Sequence, residues 1–293
     1  MIIETVPNFS EGRNQETLDA IAASFRGAGA RLLDYSGDVD HNRSVFTAAG
    51  TAEQIENALL AAIGTARDRI DLRTHKGEHP RVGAADVVPL IPIEGVTVEE
   101  CVALARKIGA RIWSELGIPV YLYESAATRP HCKNLADVRK GGFEGLESKM
   151  QDPKWAPDFG DCKPHPSAGA VVLGVRKFLI AYNFLLDTDD IAVARKISGI
   201  IRERDGGLPC VKALGMMLEG KGAQVSVNLT DYEVTGLYEV YTAVEREAAR
   251  LGARVVSSEL IGLVPERAMA DAAAKFLKME NYCFGKVLEE RLR

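Results

Sequence analysis

Nine consecutive residues, Arg73-Thr74-His75-Lys76-Gly77-Glu78-His79-Pro80-Arg81, hold the densest chemistry in the chain, and seven of them are ionisable or hydroxylic. Two of the five histidines fall here; the others are His41, His131 and His165. Histidine titrates near neutral pH, so it can take a proton and return it. Arg73, Lys76 and Arg81 could hold anionic groups of a substrate, and arginine suits carboxylates because its fork donates two parallel bonds. The same cations favour the neutral imidazole that a general base needs. His75 to His79 also matches, formally, the H-x-x-E-H pattern of zinc peptidases. That pattern works on a helix, which brings positions i and i+4 to one face. Gly77 inside it and Pro80 directly after it both disfavour a helix. A loop carrying a base is therefore the expectation here, with no metal.

Other chemistries lack their signatures. There is no G-x-x-x-x-G-K-[ST] phosphate loop, no G-x-G-x-x-G fingerprint and no G-x-S-x-G elbow. Cys132 beside His131 is a poor thiol–base pair, because neighbours in sequence rarely face each other. The five cysteines include no C-x-x-C pair and read as reduced thiols. A net charge of −5 argues against nucleic-acid binding through phosphates. No apolar run reaches the ~18 residues of a membrane span, and the N-terminus lacks a signal-peptide pattern. The chain therefore reads as cytoplasmic.

The elements that must position the charged loop alternate between strand and helix. Ile2 to Phe9 reads as a strand, and Leu18, Ile21, Ala22 and Phe25 recur at helical spacing. Two short strands follow over residues 31–35 and 43–47. Thr51 with Gln54, and Thr97 with Glu100, are capping boxes that open two long helices. Between them Val87 to Ile91 is an apolar strand, and Pro89 puts it at a sheet edge. Residues 120–123 form a further strand. Residues 124–169 are rich in Pro, Gly and Lys, with one short helical patch at 134–139. From Lys177 the pattern restarts: strand 178–186, helix 190–204, strands 211–218 and 223–229, a helix lined by Leu237, Val240, Tyr241, Val244 and Ala248, and strand 254–260. This β-α-β-β-α-β order matches that of the first 93 residues. The expected fold is α+β, with two ferredoxin-like subdomains (residues 1–176 and 177–293) and a ligand cleft between them. Two closing helices, over 266–279 and 284–291, would pack on the second subdomain.

With these pieces in order, the chain resembles the glutamate formimidoyltransferases. The resemblance rests on Val6-Pro7-Asn8-Phe9-Ser10-Glu11-Gly12, on Gly77 through Val87, on Trp155 through Gly160, on Gly174 through Ala181, on Ala223-Gln224-Val225-Ser226 with Asn228-Leu229, and on Gly262-Leu263-Val264-Pro265. It implies transfer of a formimidoyl group from N-formimidoyl-glutamate to tetrahydrofolate, the co-substrate. It implies that His79 is the catalytic base and that folate contacts Gly160, Asp161, Cys162, Lys163, Pro164, His165, Pro166, Ser167, Ala168 and Gly169. Of these, Asp161 to His165 depart from the pattern of the animal enzymes. Asp38 to His41 depart as well, while Asn42-Arg43 match. The donor's two carboxylates then call for cations, and Arg43, Arg73, Lys76 and Arg81 are the candidates. A homodimer is implied, as is a stand-alone transferase without the cyclodeaminase domain of the animal enzymes. The rival readings are an ATP-using cyclo-ligase acting on 5-formyltetrahydrofolate at the same site, and a non-catalytic folate-binding protein.

Overall fold

A computed structural model of the chain describes residues 1–39, 41–77, 80–218 and 220–292. The chain divides into two compact units, residues 1–176 and 177–293.

The first unit begins with β1 (Ile2–Thr5) and β2 (Asn8–Phe9), two pieces of one strand line interrupted at Val6-Pro7. Then come α1 (Gln15–Gly27), β3 (Arg31–Asp38), β4 (Arg43–Gly50), α2 (Ala52–Arg69), β5 (Ala85–Glu94) and α3 (Val98–Leu116). Both capping boxes form: Thr51 and Gln54 exchange side-chain and backbone bonds, as do Thr97 and Glu100. β1 and β2 each pair with β4 on one side and β5 on the other, all antiparallel, and β3 lies outside β4.

The sheet continues where the sequence suggests an end. β6 (Val120–Glu124) and β7 (Val171–Val175) extend it, with β5, β7 and β6 parallel in that order. β5 is thus an interior strand, which corrects the edge position read from Pro89. The reason lies in the facing strand. The Pro89 carbonyl accepts from the Thr5 hydroxyl at 2.8 Å, so the ring nitrogen on that side faces the break between β1 and β2. A missing N–H costs no ladder bond there. β7 has no signal of its own in the sequence, because it is five apolar residues following a long irregular stretch.

That stretch is itself structured. It holds α4 (Leu135–Arg139), as the sequence suggests, and α5 (Gly142–Met150), which it does not. Cys132, Val138, Leu146 and Met150 bury against Tyr121, Tyr123, Ala170 and Val172 on one face of the parallel strands. α1, α2 and α3 cover the other face through Ile21, Phe25, Ile55, Leu59, Ile63, Ile108 and Ile112. Parallel strands require cover on both faces, and residues 130–155 supply the second.

The second unit runs β8 (Ile180–Leu186), α6 (Ile191–Ile201), β9 (Val211–Leu218), β10 (Gly222–Leu229), α7 (Leu237–Arg250) and β11 (Val255–Ile261). Its four strands are antiparallel in the order β11-β8-β10-β9. Phe184, Val225, Val227, Ile197, Val240 and Val244 form its core. α8 (Glu266–Phe276) adds Ala268 to that core, and α9 (Leu288–Leu292) closes the chain. The order of strands and helices is the one expected, on an α+β architecture with two sheets.

Candidate active site

The candidate site residues lie at one end of the first unit's sheet, in the described parts of the connections 10–14, 39–42, 70–84, 140–141 and 160–170. Backbone bonds join three of these. Ser10 N donates to Ala84 O at 2.8 Å, and the Ser10 hydroxyl donates to Gly83 O at 2.7 Å. Ala84 N donates to Ala168 O, Ala170 N to Val82 O, and Leu72 N to Ser167 O, all within 3.0 Å. The charged loop and the end of the segment expected to contact folate are therefore neighbours, ninety residues apart in sequence. Glycine makes the crossing possible: a Cβ on Gly83 would stand 2.1 Å from Ala170 O, and one on Gly169 would stand 2.0 Å from Val82 O.

Asn42 locks the other side. Its backbone is left-handed, with φ of 47°, a conformation asparagine tolerates better than most residues. Its side chain accepts from Gly12 N at 3.0 Å and donates to Lys76 O at 3.0 Å. Its carbonyl lies 2.9 Å from His75 Nε2. A carbonyl can only accept, so Nε2 carries the proton and the neutral ring presents its lone pair at Nδ1. Nδ1 is buried and has no partner among the described residues. Burial pushes the His75 pKa down; the Asn42 bond opposes this and nearby Arg81 reinforces it.

The described part of the charged segment, residues 71–77 and Pro80-Arg81, is turn and irregular chain, as Gly77 and Pro80 suggest. His79, the expected base, and Glu78 lie outside the described residues. Arg73 is exposed and forms a two-pronged pair with Asp71. Lys76 is exposed. Arg81 is buried, donating to Glu144 at 2.8 Å and to His75 O at 3.2 Å.

Arg43 is buried too, and its partner is a residue the sequence reading passed over. Asp86 has no accessible surface and accepts from Arg43 Nη1 at 2.8 Å, Arg139 Nη1 at 3.1 Å and Val82 N at 2.8 Å. Burial alone would raise its pKa; the two guanidiniums and the Val82 N–H outweigh that and hold it below the carboxylate range. A bulge puts Asp86 there. Asn8 pairs with Val87 but Phe9 pairs with Ala85, so Asp86 is the extra residue. Bulges re-aim side chains beside functional sites. The signal available in sequence was an aspartate inside an otherwise apolar strand.

The segment expected to contact folate has two parts. Gly160 has φ of +106°, and Asp161, Cys162 and Lys163 are exposed. Pro164 is half-buried. His165 to Gly169 is a closed turn in which His165 and Gly169 exchange backbone bonds, at 2.8 and 2.9 Å. His165 Nδ1 accepts from Ala168 N at 3.1 Å and Ser167 N at 3.4 Å. Burial and then Arg67 push its pKa down, so its ring is a structural acceptor within the turn. Pro166 is exposed, Ser167 half-buried and Ala168 buried.

Two family models match the chain: the formiminotransferase domain, N-terminal subdomain, over residues 2–176, and the formiminotransferase domain over residues 181–292. The chain belongs to the formiminotransferase family. It is 47% identical to a glutamate formimidoyltransferase of Streptococcus pyogenes serotype M1, over 99% of this chain and 98% of that one. It is 43% identical to a glutamate formimidoyltransferase of Thermoplasma acidophilum, over 99% and 97%. A formimidoyltransferase-cyclodeaminase of Rattus norvegicus is 46% identical over the whole of this chain and 55% of its own length. The boundary between the two formiminotransferase models falls where the two compact units divide.

Proposed function

We propose that this chain is a glutamate formimidoyltransferase, moving the formimidoyl group from N-formimidoyl-L-glutamate to N5 of tetrahydrofolate. The products are 5-formimidoyltetrahydrofolate and L-glutamate. The near full-length match to glutamate formimidoyltransferases of two organisms carries this reading. The bonded neighbourhood of residues 72–84 and 165–170 supports it, because donor and acceptor must meet at one place.

In this reading the N5 lone pair forms a bond to the formimidoyl carbon, and N5 becomes positive. His79 removes the N5 proton. The bond from carbon to the glutamate nitrogen then breaks, and His79 returns the proton to that nitrogen. Folate lies along residues 160–169. His75, with its ring fixed by Asn42 and its carbonyl by Arg81, positions the loop that carries the base. No helix among the described residues is long and apolar enough to cross a membrane. The working form is a homodimer in the cytoplasm.

The test is turnover of purified protein with N-formimidoyl-L-glutamate and tetrahydrofolate, without ATP. His79→Ala should lower kcat by on the order of 10²–10⁴-fold and leave folate affinity intact. His75→Ala should cost less than about tenfold, as a positioning change. A wild-type protein that needs ATP, or that turns over neither substrate, would overturn the reading.

A further inference from the structure

Arg43 opens β4 and Arg139 ends α4, yet both reach the same oxygen, Asp86 Oδ2. Their side chains are 9% and 16% exposed, and Asp86 is fully buried. Two guanidiniums thus share one carboxylate, which leaves a surplus positive charge where burial penalises charge. Much of their donor capacity is unspent. Arg43 uses Nε on Asn8 and Nη1 on Asp86. Arg139 uses Nη1, while its Nε is buried without a partner. Neither Nη2 donates a hydrogen bond among the described residues. The other cations of the region differ: Arg81 is matched by Glu144, and Arg73 by Asp71.

We propose that Arg139 and Arg43 form a carboxylate-binding subsite for a glutamate moiety, with Asp86 holding the two guanidiniums side by side. This rests on the transferase reading and adds Arg139, a residue of the segment between β6 and β7, to the cations that hold substrate. An incoming carboxylate offers about four lone-pair sites to two forks, the bidentate match for which arginine is suited. It also supplies a negative charge that the cluster lacks among the described residues. Burial, and then Arg139, act to weaken the charged form of Arg43, with Asp86 opposing; a second anion would relieve both.

A glutamate moiety occurs both in the donor and in the tail of folate. The experiment compares wild-type protein with Arg139→Gln, measuring KM for N-formimidoyl-L-glutamate, for tetrahydrofolate and for tetrahydropteroate, which lacks the tail. Calorimetry with L-glutamate runs alongside. The expected result is a donor KM raised on the order of 10–100-fold, the worth of one charged hydrogen bond. L-glutamate should bind weaker by the same factor, with kcat within about threefold. A KM change confined to tetrahydrofolate, with tetrahydropteroate unaffected, would assign the subsite to the folate tail. Unchanged KM values and unchanged L-glutamate affinity overturn the proposal. Arg139→Lys covers a Gln variant that melts early: it keeps the charge without the fork and should give an intermediate KM. A merely structural role would lower Tm in both variants and leave KM and L-glutamate affinity alone. Wild-type protein that binds L-glutamate more tightly than the variant, but turns nothing over, breaks the transferase reading and keeps the subsite. Wild-type protein that binds neither L-glutamate nor folate overturns the subsite as well.

Discussion

The two units share the order β-α-β-β-α-β over residues 2–94 and 180–261, and within that shared frame they differ in the connection from the second helix to the strand that follows. In the second unit that connection is residues 251–254, closed by Ala253 N on Ala248 O. In the first it runs from residue 70 to 84 and carries the charged loop. The strand each one enters differs as well. β11 is an edge strand, largely exposed along its length, while β5 is flanked on both sides and bulges at Asp86. A long loop is mobile unless something fixes it. Here an interior strand, a buried ion cluster and two glycine crossings hold its described residues. The comparison teaches that the fold supplies a frame, and that loop length and a single extra strand residue distinguish the copy with the candidate site.

The sharpest way to break this contrast is at the buried carboxylates. Asp86→Asn should cost about 3–5 kcal/mol in urea unfolding, because it strands two buried guanidiniums. Glu247 of the second unit is equally buried, but its partners Arg246 and Arg250 are 65% and 69% exposed. Those arginines can turn to water, so Glu247→Gln should cost about 1 kcal/mol. Equal costs would erase the distinction. The acid limb gives a second reading of Asp86. Its depressed pKa stabilises the fold above the ordinary carboxylate range, and that contribution fades as pH falls below it. The Asn variant should lose that dependence.

Glu4 on β1 has the opposite sign. Burial raises its pKa to about 7, against the pull of Arg176, and its Oε2 has no hydrogen-bond partner among the described residues. The folded state keeps this proton while the unfolded chain releases it near its ordinary value. Stability should therefore fall by about 3 kcal/mol as pH rises from about 4 to about 7, then level off. Glu4→Gln should flatten that stretch of a Tm-against-pH curve. A slope that persists unchanged would place its origin elsewhere.

Smaller effects sharpen the loop argument. Gly83→Ala drives a Cβ against backbone oxygens and should cost about 1–3 kcal/mol, with activity falling as the crossing shifts. Gly220→Ala in the β9–β10 turn meets nothing within 4 Å and bears only its left-handed φ of +70°, so about 1 kcal/mol is expected. Least of all, Arg73→Ala should change stability by under about 0.5 kcal/mol, since its pair with Asp71 is exposed. It should also leave donor KM within about threefold, in contrast to Arg139.

Sequence reading succeeded where the information was local. The capping boxes at Thr51 and Thr97 need four residues each, and both formed. The loop character of residues 71–77 needed only Gly77 and Pro80. It failed where the cause was distant. Pro89 suits an interior strand only because Pro7 breaks the neighbouring one, and β7 is a strand because β5 and β6 leave a slot between them. Asp86 gains its partners through a bulge, which depends on register across the sheet rather than on its own neighbours. Arg139 was invisible for the same reason, since its partner lies fifty-three positions away.

The crossing of residues 82–84 with 168–170 has one more consequence. It ties the chain like the neck of a bag: the chain passes out at residues 82–84 and comes back at 168–170, where a few backbone bonds hold the two passes together. Cutting the bag at exposed Cys162 or Lys163 would leave the neck tied. Two fragments cut there should stay associated, because these bonds and the pairing of β5 with β7 span the cut.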